Sequence, residues 1–264
     1  MSFKIDFAMF RCVALVTVLS FSLSGCGEKQ ADKPSPPQDG GKAEPSATEA
    51  NSEPEPVQAV CIYNNLAYWT SPNENTRKQA GYLKKGELVM WLGKTERAKD
   101  TNGNERDYYN IRDAEGKETW ALADWLVPDS KPAAIVSETT VFDKKSLITK
   151  SDFKYQPLDI VAVMSEEDDW VKVVGDRKTH QNWIKPGALT YAEVDIAVAN
   201  MAYPLKSEKN ETVKMEKTAE LVKELAADTV LSNSIFLEPL REMLAELQEG
   251  EVTLIEVRPI EKKE

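Results

Sequence analysis

The pair of stretches "ETWALADWL" (118–126) and "QNWIKPGAL" (181–189) decides how the chain is read. Trp120 to Leu126 and Trp183 to Leu189 have equal spacing, and the blocks before them match as well. "YYNIR" (108–112) precedes the first and "WVKVV" (170–174) the second, so Tyr108 and Ile111 align with Trp170 and Val173. Further back, "AYWTSP" (67–72) and "YLKKGELVMWLG" (82–93) stand opposite "TVFDKK" (140–145) and "YQPLDIVAVMS" (155–165). A sequence that matches itself at such spacing encodes one supersecondary unit twice. Each copy is a series of short runs rich in β-branched and aromatic residues, broken by turn residues, which predicts a small barrel or sandwich. The first copy carries an additional polar stretch, "KTERAKDTNGNERD" (94–107), read as a loop with a tight turn at Asn-Gly.

Period two assigns the faces within each strand. Leu88, Met90 and Leu92 share one face, and Val89 and Trp91 the other. Tyr109 and Ile111 point together, as do Val171 and Val173, so Tyr108 and Trp170 point to the opposite side beside Asn110 and Lys172. An aromatic ring on a polar face is a candidate ligand platform, and Tyr108 and Trp170 are the candidate binding residues. The same rings would also be explained by packing between the two copies or by capping of an open barrel end. Trp120 and Trp183, set among the most regular neighbours, are expected in the cores.

The flanks differ from this centre. Lys4 and Arg11 precede an apolar run, Cys12 to Leu23, which is shorter than the roughly 20 apolar residues a membrane-spanning helix requires and suits a secretory signal peptide. Residues 27–58 contain Pro34, Pro36, Pro37, Pro45, Pro54 and Pro56 among Gly, Ser, Ala and acids, with almost nothing apolar to bury, and read as a disordered tether. A coil of that length spans roughly 30 Å root-mean-square. After Leu189 the apolar spacing becomes helical. Residues 193–203 carry acids in the first turn and stop before Pro204, residues 211–227 repeat at three-four spacing, and a third helix runs from Pro239 to a stop at Gly250. "EVTLIEV" (251–257) reads as a short strand or extended tail. These helices are expected to cover the domain's own core, or else to form a pair that binds a partner.

Composition excludes several functions. The net charge of −11 and the lack of a basic patch argue against nucleic acid. With one histidine, His180, and three cysteines, Cys12, Cys26 and Cys61, there is no His-based triad, no CxxC and no Cys/His metal spacing. No phosphate-binding glycine loop is present either. The acid cluster "SEEDDW" (165–170) lies between two strand patterns and reads as a solvated hairpin turn, without calcium-loop spacing. His180 reads as a surface residue, and Cys61 as a buried thiol or an intermolecular disulfide. The expectation is a protein that is not an enzyme and has no cofactor or metal.

Two resemblances extend this reading. Leu23-Ser24-Gly25-Cys26 resembles the lipobox of bacterial lipoproteins. That resemblance implies cleavage between Gly25 and Cys26 and lipid attachment at Cys26, and more than one acyl chain holds a protein stably on a membrane. Gly27, where an Asp would favour the inner membrane, points to the outer one. Leu83-Lys84-Lys85-Gly86, Tyr108-Tyr109-Asn110-Ile111 and Thr119-Trp120-Ala121, with Trp170-Val171-Lys172-Val173 and Asn182-Trp183-Ile184, resemble bacterial SH3-like (SH3b) domains. Thr119 and Asn182 replace the glycine before each tryptophan, and Leu158 stands where Gly86 does. The expected plan is mainly β with an α C-terminal segment: signal peptide 1–25, lipidated linker 26–58, SH3-like units at 59–130 and 131–192, and a helical segment at 193–264. The resemblance implies a lipid-anchored envelope protein that binds peptidoglycan or a peptide ligand. The alternative is an assembly protein that binds another envelope protein through the C-terminal helices.

Overall fold

The computed structural model describes residues 55–176 and 182–256, with side chains to residue 249. The expected signal peptide, the cleavage site at Gly25 and Cys26, and His180 lie outside the described residues. Residues Asn51–Glu264 form one compact unit. It is mainly β, with two curled antiparallel sheets followed by three helices.

The first sheet, here the first module, comprises β1 (Val57–Cys61), β2 (Leu66–Trp69), β3 (Gln79–Leu83), β4 (Leu88–Lys99), β5 (Glu105–Arg112), β6 (Glu118–Leu122) and β7 (Leu126–Pro128). The second module comprises β8 (Lys131–Ile135), β9 (Thr139–Phe142), β10 (Lys150–Tyr155), β11 (Ile160–Glu167), β12 (Trp170–Val174), β13 (Asn182–Ile184) and β14 (Leu189–Thr190). The strand orders are β3-β2-β6-β5-β4-β1-β7 and β10-β9-β13-β12-β11-β8-β14, the same path taken twice. β1 starts at Val57, inside the stretch expected to be tether, because Val57 pairs with Trp91 and Ala59 with Pro128.

Alternation along single strands builds four cores. Ala59 and Cys61 turn into the first module, with Val89, Ile111 and Ala121. Val60 and Ile62 turn the other way and meet Val127, Ala162 and Val174 between the modules. Ala133, Ile135, Val161 and Val163 fill the second module. Ala134 and Ile160, on the opposite face, meet the helices. These strands are buried on both sides, and they therefore read as continuous apolar runs instead of alternating ones.

The helices are α1 (Glu193–Ser207), α2 (Glu211–Ala227) and α3 (Leu237–Glu256). Their apolar faces, with Phe236 just before α3, bury Ile196, Ala199, Leu205, Leu221, Leu225 and Leu240 against Leu158 and Ile160. Asp195, buried in the first turn of α1, ties this layer together by accepting from Thr190 Oγ1 at 2.7 Å, Ser234 Oγ at 2.8 Å and Ile235 N at 3.0 Å. Two expected stops are overridden. Pro204 lies inside α1, where the helix is held past it by burial of Leu205. α3 continues through Gly250 to Glu256, so 251–256 is helix and not strand. One glycine costs a helix interior only about 1 kcal/mol, too little to end it alone.

The two modules also meet through one turn. Gly86 has φ +81°, and a Cβ there would lie 3.0 Å from Ile160 Cγ2 and 3.1 Å from Ile196 Cγ2. Lys85 beside it is 3% exposed, with Nζ donating to Asp176 Oδ2 at 3.2 Å. Its carbonyl accepts from Asn200 Nδ2 at 2.6 Å.

Candidate functional site

The second module presents an aromatic and cationic face on its outer side. In the ladder, Trp183 lies opposite Phe142 on β9 and opposite Lys172 on β12. Opposed residues share a face, so Phe142, Trp183 and Lys172 form a row across three strands. Val171, Val173 and Ile184, alternating with them, are buried in the core. Trp170 and Lys185 extend the row, each two residues away along its own strand direction. Phe142 and Trp170 stack edge-on with centroids 5.0 Å apart at 84°. Lys185 Nζ lies 3.9 Å from the Trp170 centroid, and Lys145 and Lys172 lie 5.1 and 5.9 Å from that of Trp183. Such cation–π contacts stabilise by about 0.5 to 1 kcal/mol at exposed sites and keep the ammoniums at the rings. Lys185 Nζ also donates to the carbonyl of Asp169 at 3.1 Å, and Lys145 pairs with Glu167, whose carboxyl this hydrogen bond holds below the usual range. The arrangement can offer flat apolar surfaces and positive charge to a ligand that carries both an apolar face and carboxylates.

The corresponding face of the first module leaves Trp69 and Trp120 half-buried and closes over Tyr108. Trp69 pairs with Trp120, which pairs with Asn110, and Tyr108 occupies the place of Trp170. Tyr108 is 1% exposed and offers no platform, contrary to the expectation from period two. Arg77 lies over the Trp69 ring at 5.0 Å and donates to Tyr108 Oη at 3.1 Å and to the Lys99 carbonyl at 2.8 Å. Lys99 belongs to the stretch read as a loop, which is instead paired strand: Thr95 opposes Tyr109 and Lys99 opposes Glu105. Its turn is tied by Asp100 Oδ1, which accepts from Asn102 N at 2.8 Å and Asn104 N at 2.9 Å. The lengthened hairpin and the β2–β3 loop thus cover Tyr108, and burial pushes its phenol pKa up. In the second module the hairpin turns between Glu167 and Trp170, leaving Trp170 half-buried.

Trp120 and Trp183 both lie on outer faces, half-buried, between pairs of buried neighbours, and so are not core residues. Their regular surroundings reflected strand alternation, and the inner positions are taken by Ala121 and Ile184. Lys145 and Phe142 join the site only through the fold. A sequence signal existed for Phe142, which aligns with Trp69. Cys61 is buried, donates to the Tyr63 carbonyl at 3.1 Å, and has its pKa pushed up to about 12 by burial. Among the described residues no group of three or more His, Cys, Asp and Glu could hold a metal, and no helix is long and apolar enough to cross a membrane. A separate groove of about 550 Å³ runs between the second module and the helices, lined in part by Leu158, Leu205, Pro239, Leu240 and Met243.

No family model and no curated protein matches the chain. Among solved structures it is similar to NlpC2 from Trichomonas vaginalis, with 17% identity over 64% of this chain and 56% of that one, at a TM-score of 0.23. NlpC1 from the same organism is similar at 17% identity over 66% of this chain and 55% of that one, with a TM-score of 0.23. The endolysin LysPBC5 CBD is similar at 17% identity, over 53% of this chain and 96% of that one, with a TM-score of 0.20. This chain thus spans a little over half the length of the two NlpC structures.

Proposed function

We propose that this chain is a non-catalytic binding protein of the bacterial envelope, lipid-anchored at Cys26, whose two modules are SH3-like. Its second module binds a wall polymer along the Trp170–Trp183 face. The observation that carries the reading is the half-buried pair Trp170 and Trp183, backed by the buried Phe142, with three lysines over the two tryptophan rings. Peptidoglycan supplies the complementary chemistry, since sugar rings and peptide stems have apolar faces and the stems bear carboxylates. Aromatic anchors of this kind dominate binding energies where they occur. The Leu23-Ser24-Gly25-Cys26 motif supports the anchor, and the proline-rich stretch behind it supports a reach away from the membrane.

Purified peptidoglycan sacculi test the binding. The fragment 51–264 retains every described core residue. It should sediment with sacculi, and Trp170→Ala combined with Trp183→Ala should weaken retention by about tenfold or more, whereas Tyr108→Phe should leave it unchanged. Absence of retention, or retention indifferent to both tryptophans, sinks the wall-binding reading. The helix-lined groove favours the second reading, a protein partner; it gains if a defined envelope protein co-purifies and is lost with Met243→Asp. Mass spectrometry of the native chain should find acyl groups on Cys26.

A further inference from the structure

The loop between β9 and β10 carries Leu147 and Ile148 at its tip, 68% and 94% exposed. A closed, hydrogen-bonded loop holds them out. Asp143 N donates to the Thr149 carbonyl at 3.0 Å, and Thr149 N to the Ser146 carbonyl at 3.1 Å. Thr149 Oγ1 donates to the carbonyls of Ser146 and Lys144, at 2.8 and 3.0 Å, and accepts from Lys144 N at 3.2 Å. The pair therefore cannot fold back onto the module without breaking this network. Lys144, Lys145 and Lys150 flank it, against a single acid, Asp143, within the loop. Lys145 is paired with Glu167, while no ion pair of Lys144 or Lys150 is found among the described residues. The loop's own charges sum to +2 in a chain of net −11, beside the acid hairpin 166–169 whose Glu167 joins Lys145.

The fold does not require such a tip. The first module closes the equivalent loop with the same kind of bond, Thr70 N to the Lys78 carbonyl at 2.9 Å. Its tip is Asn73-Glu74-Asn75, exposed and polar, with Asn75 N bonded to Asn73 Oδ1 at 2.9 Å. One topology thus accepts either tip, and the Leu147–Ile148 pair adds no packing to the second core.

We propose that the 143–150 loop is a membrane-contact wedge: Leu147 and Ile148 enter the acyl boundary of an anionic bilayer while Lys144 and Lys150 meet lipid phosphates. Charge complementarity selects the bilayer. An exposed apolar pair ringed by free ammoniums fits a surface that is apolar inside and negative outside. Trp183, beneath Lys145, lies on the face next to this loop, and tryptophan suits the headgroup region. The wedge would set how the second module faces the bilayer, and the inference rests neither on the lipid at Cys26 nor on wall binding.

Sedimentation of the 51–264 fragment with vesicles is the test, because that fragment lacks any lipid anchor. It should bind mixed phosphatidylethanolamine–phosphatidylglycerol vesicles, not phosphatidylcholine vesicles, and binding should fall as salt rises. Leu147→Ser with Ile148→Ser should reduce binding about tenfold or more with the thermal melt unchanged, since both side chains are solvent-facing. Lys144→Gln with Lys150→Gln should weaken binding several-fold and flatten its salt dependence. Failure to bind anionic vesicles, or equal binding by the serine variant, overturns the wedge. Loss of sacculus retention by the serine variant, without any vesicle binding, would overturn it too and assign the loop to the wall face. Vesicle binding without sacculus retention would leave the wedge standing and the wall reading overturned.

Discussion

The two modules bury different rings of the same face, Tyr108 in the first and Phe142 in the second. Both follow the same strand order, and both place an aromatic ring on the fifth strand two residues before the position opposite the tryptophan of the sixth, Tyr108 in one and Trp170 in the other. In the first, a hairpin lengthened to Lys99 and Glu105 and the guanidinium of Arg77 seal the ring. In the second, the hairpin turns at once and three lysines lie over the half-buried Trp170 and Trp183. Openness is therefore a property of the loops around the sheet, which can change while the sheet's own alternation stays the same.

The turns that enter the fourth strand of each module differ in the same instructive way. Gly86 N donates to the Cys61 carbonyl at 2.7 Å, and Leu158 N donates to the Ile135 carbonyl at 2.9 Å, so they are equivalent residues. Both have positive φ, +81° and +67°. Lys84 N bonds to Glu87 Oε2 at 2.8 Å and Gln156 N to Asp159 Oδ2 at 2.7 Å, closing the two turns alike. Gly86 abuts β11 and α1, where a Cβ would press on Ile160 and Ile196. Leu158 faces the helices, where its side chain fills their core and offsets the left-handed backbone.

Exchanging these choices should produce the largest effect. Gly86→Ala combines a left-handed residue with crowding against Ile160 and Ile196, and should cost about 2 to 4 kcal/mol in urea denaturation. Leu158→Gly relieves backbone strain, yet the lost burial should dominate, for a net cost of about 1 to 3 kcal/mol. A gain in stability for Leu158→Gly would break the comparison. A smaller effect is expected at the junction. Asp176→Ala leaves the Lys85 ammonium without its carboxylate and should cost about 1 to 2 kcal/mol, whereas Lys85→Met should cost less because it removes the buried charge as well.

The smallest effect is a pH dependence confined to the lengthened hairpin of the first module. Hydrogen bonds from Asn104 N, then from Asn102 N and the Asn104 side chain, hold the Asp100 carboxyl below its usual value. A carboxylate with a depressed folded pKa adds stability above its unfolded value and loses it as pH falls through the folded one. Thermal melts from neutral pH into the acid range should show this loss beginning near the ordinary Asp pKa of about 3.9, and Asp100→Asn should remove that part of the slope. Amide exchange at Asn102 and Asn104 should report it locally.

Much of the architecture was legible in single residues. The repeat, the strands at Tyr108 and Trp170, and the middle helix at 211–227 all follow from local spacing, and the last coincides with α2. Local spacing failed where a distant segment decided the outcome. Pro204 and Gly250 would end isolated helices, but packing carried α1 and α3 past them. The polar 94–107 stretch looked like an appendage because charged residues conceal pairing whose partners both face solvent.

What the amino-acid order determined by itself was the set of strands and helices, and which side chains share a face. Those follow from backbone periodicities of two and 3.6, which need no knowledge of the rest of the chain. Only the tertiary structure decided which face meets water. Tyr108 is sealed by Arg77, far away in sequence, and Trp170 stays half-buried with Lys185 over its ring. Solvent exposure depends on neighbours brought together by folding, and period two says nothing about them.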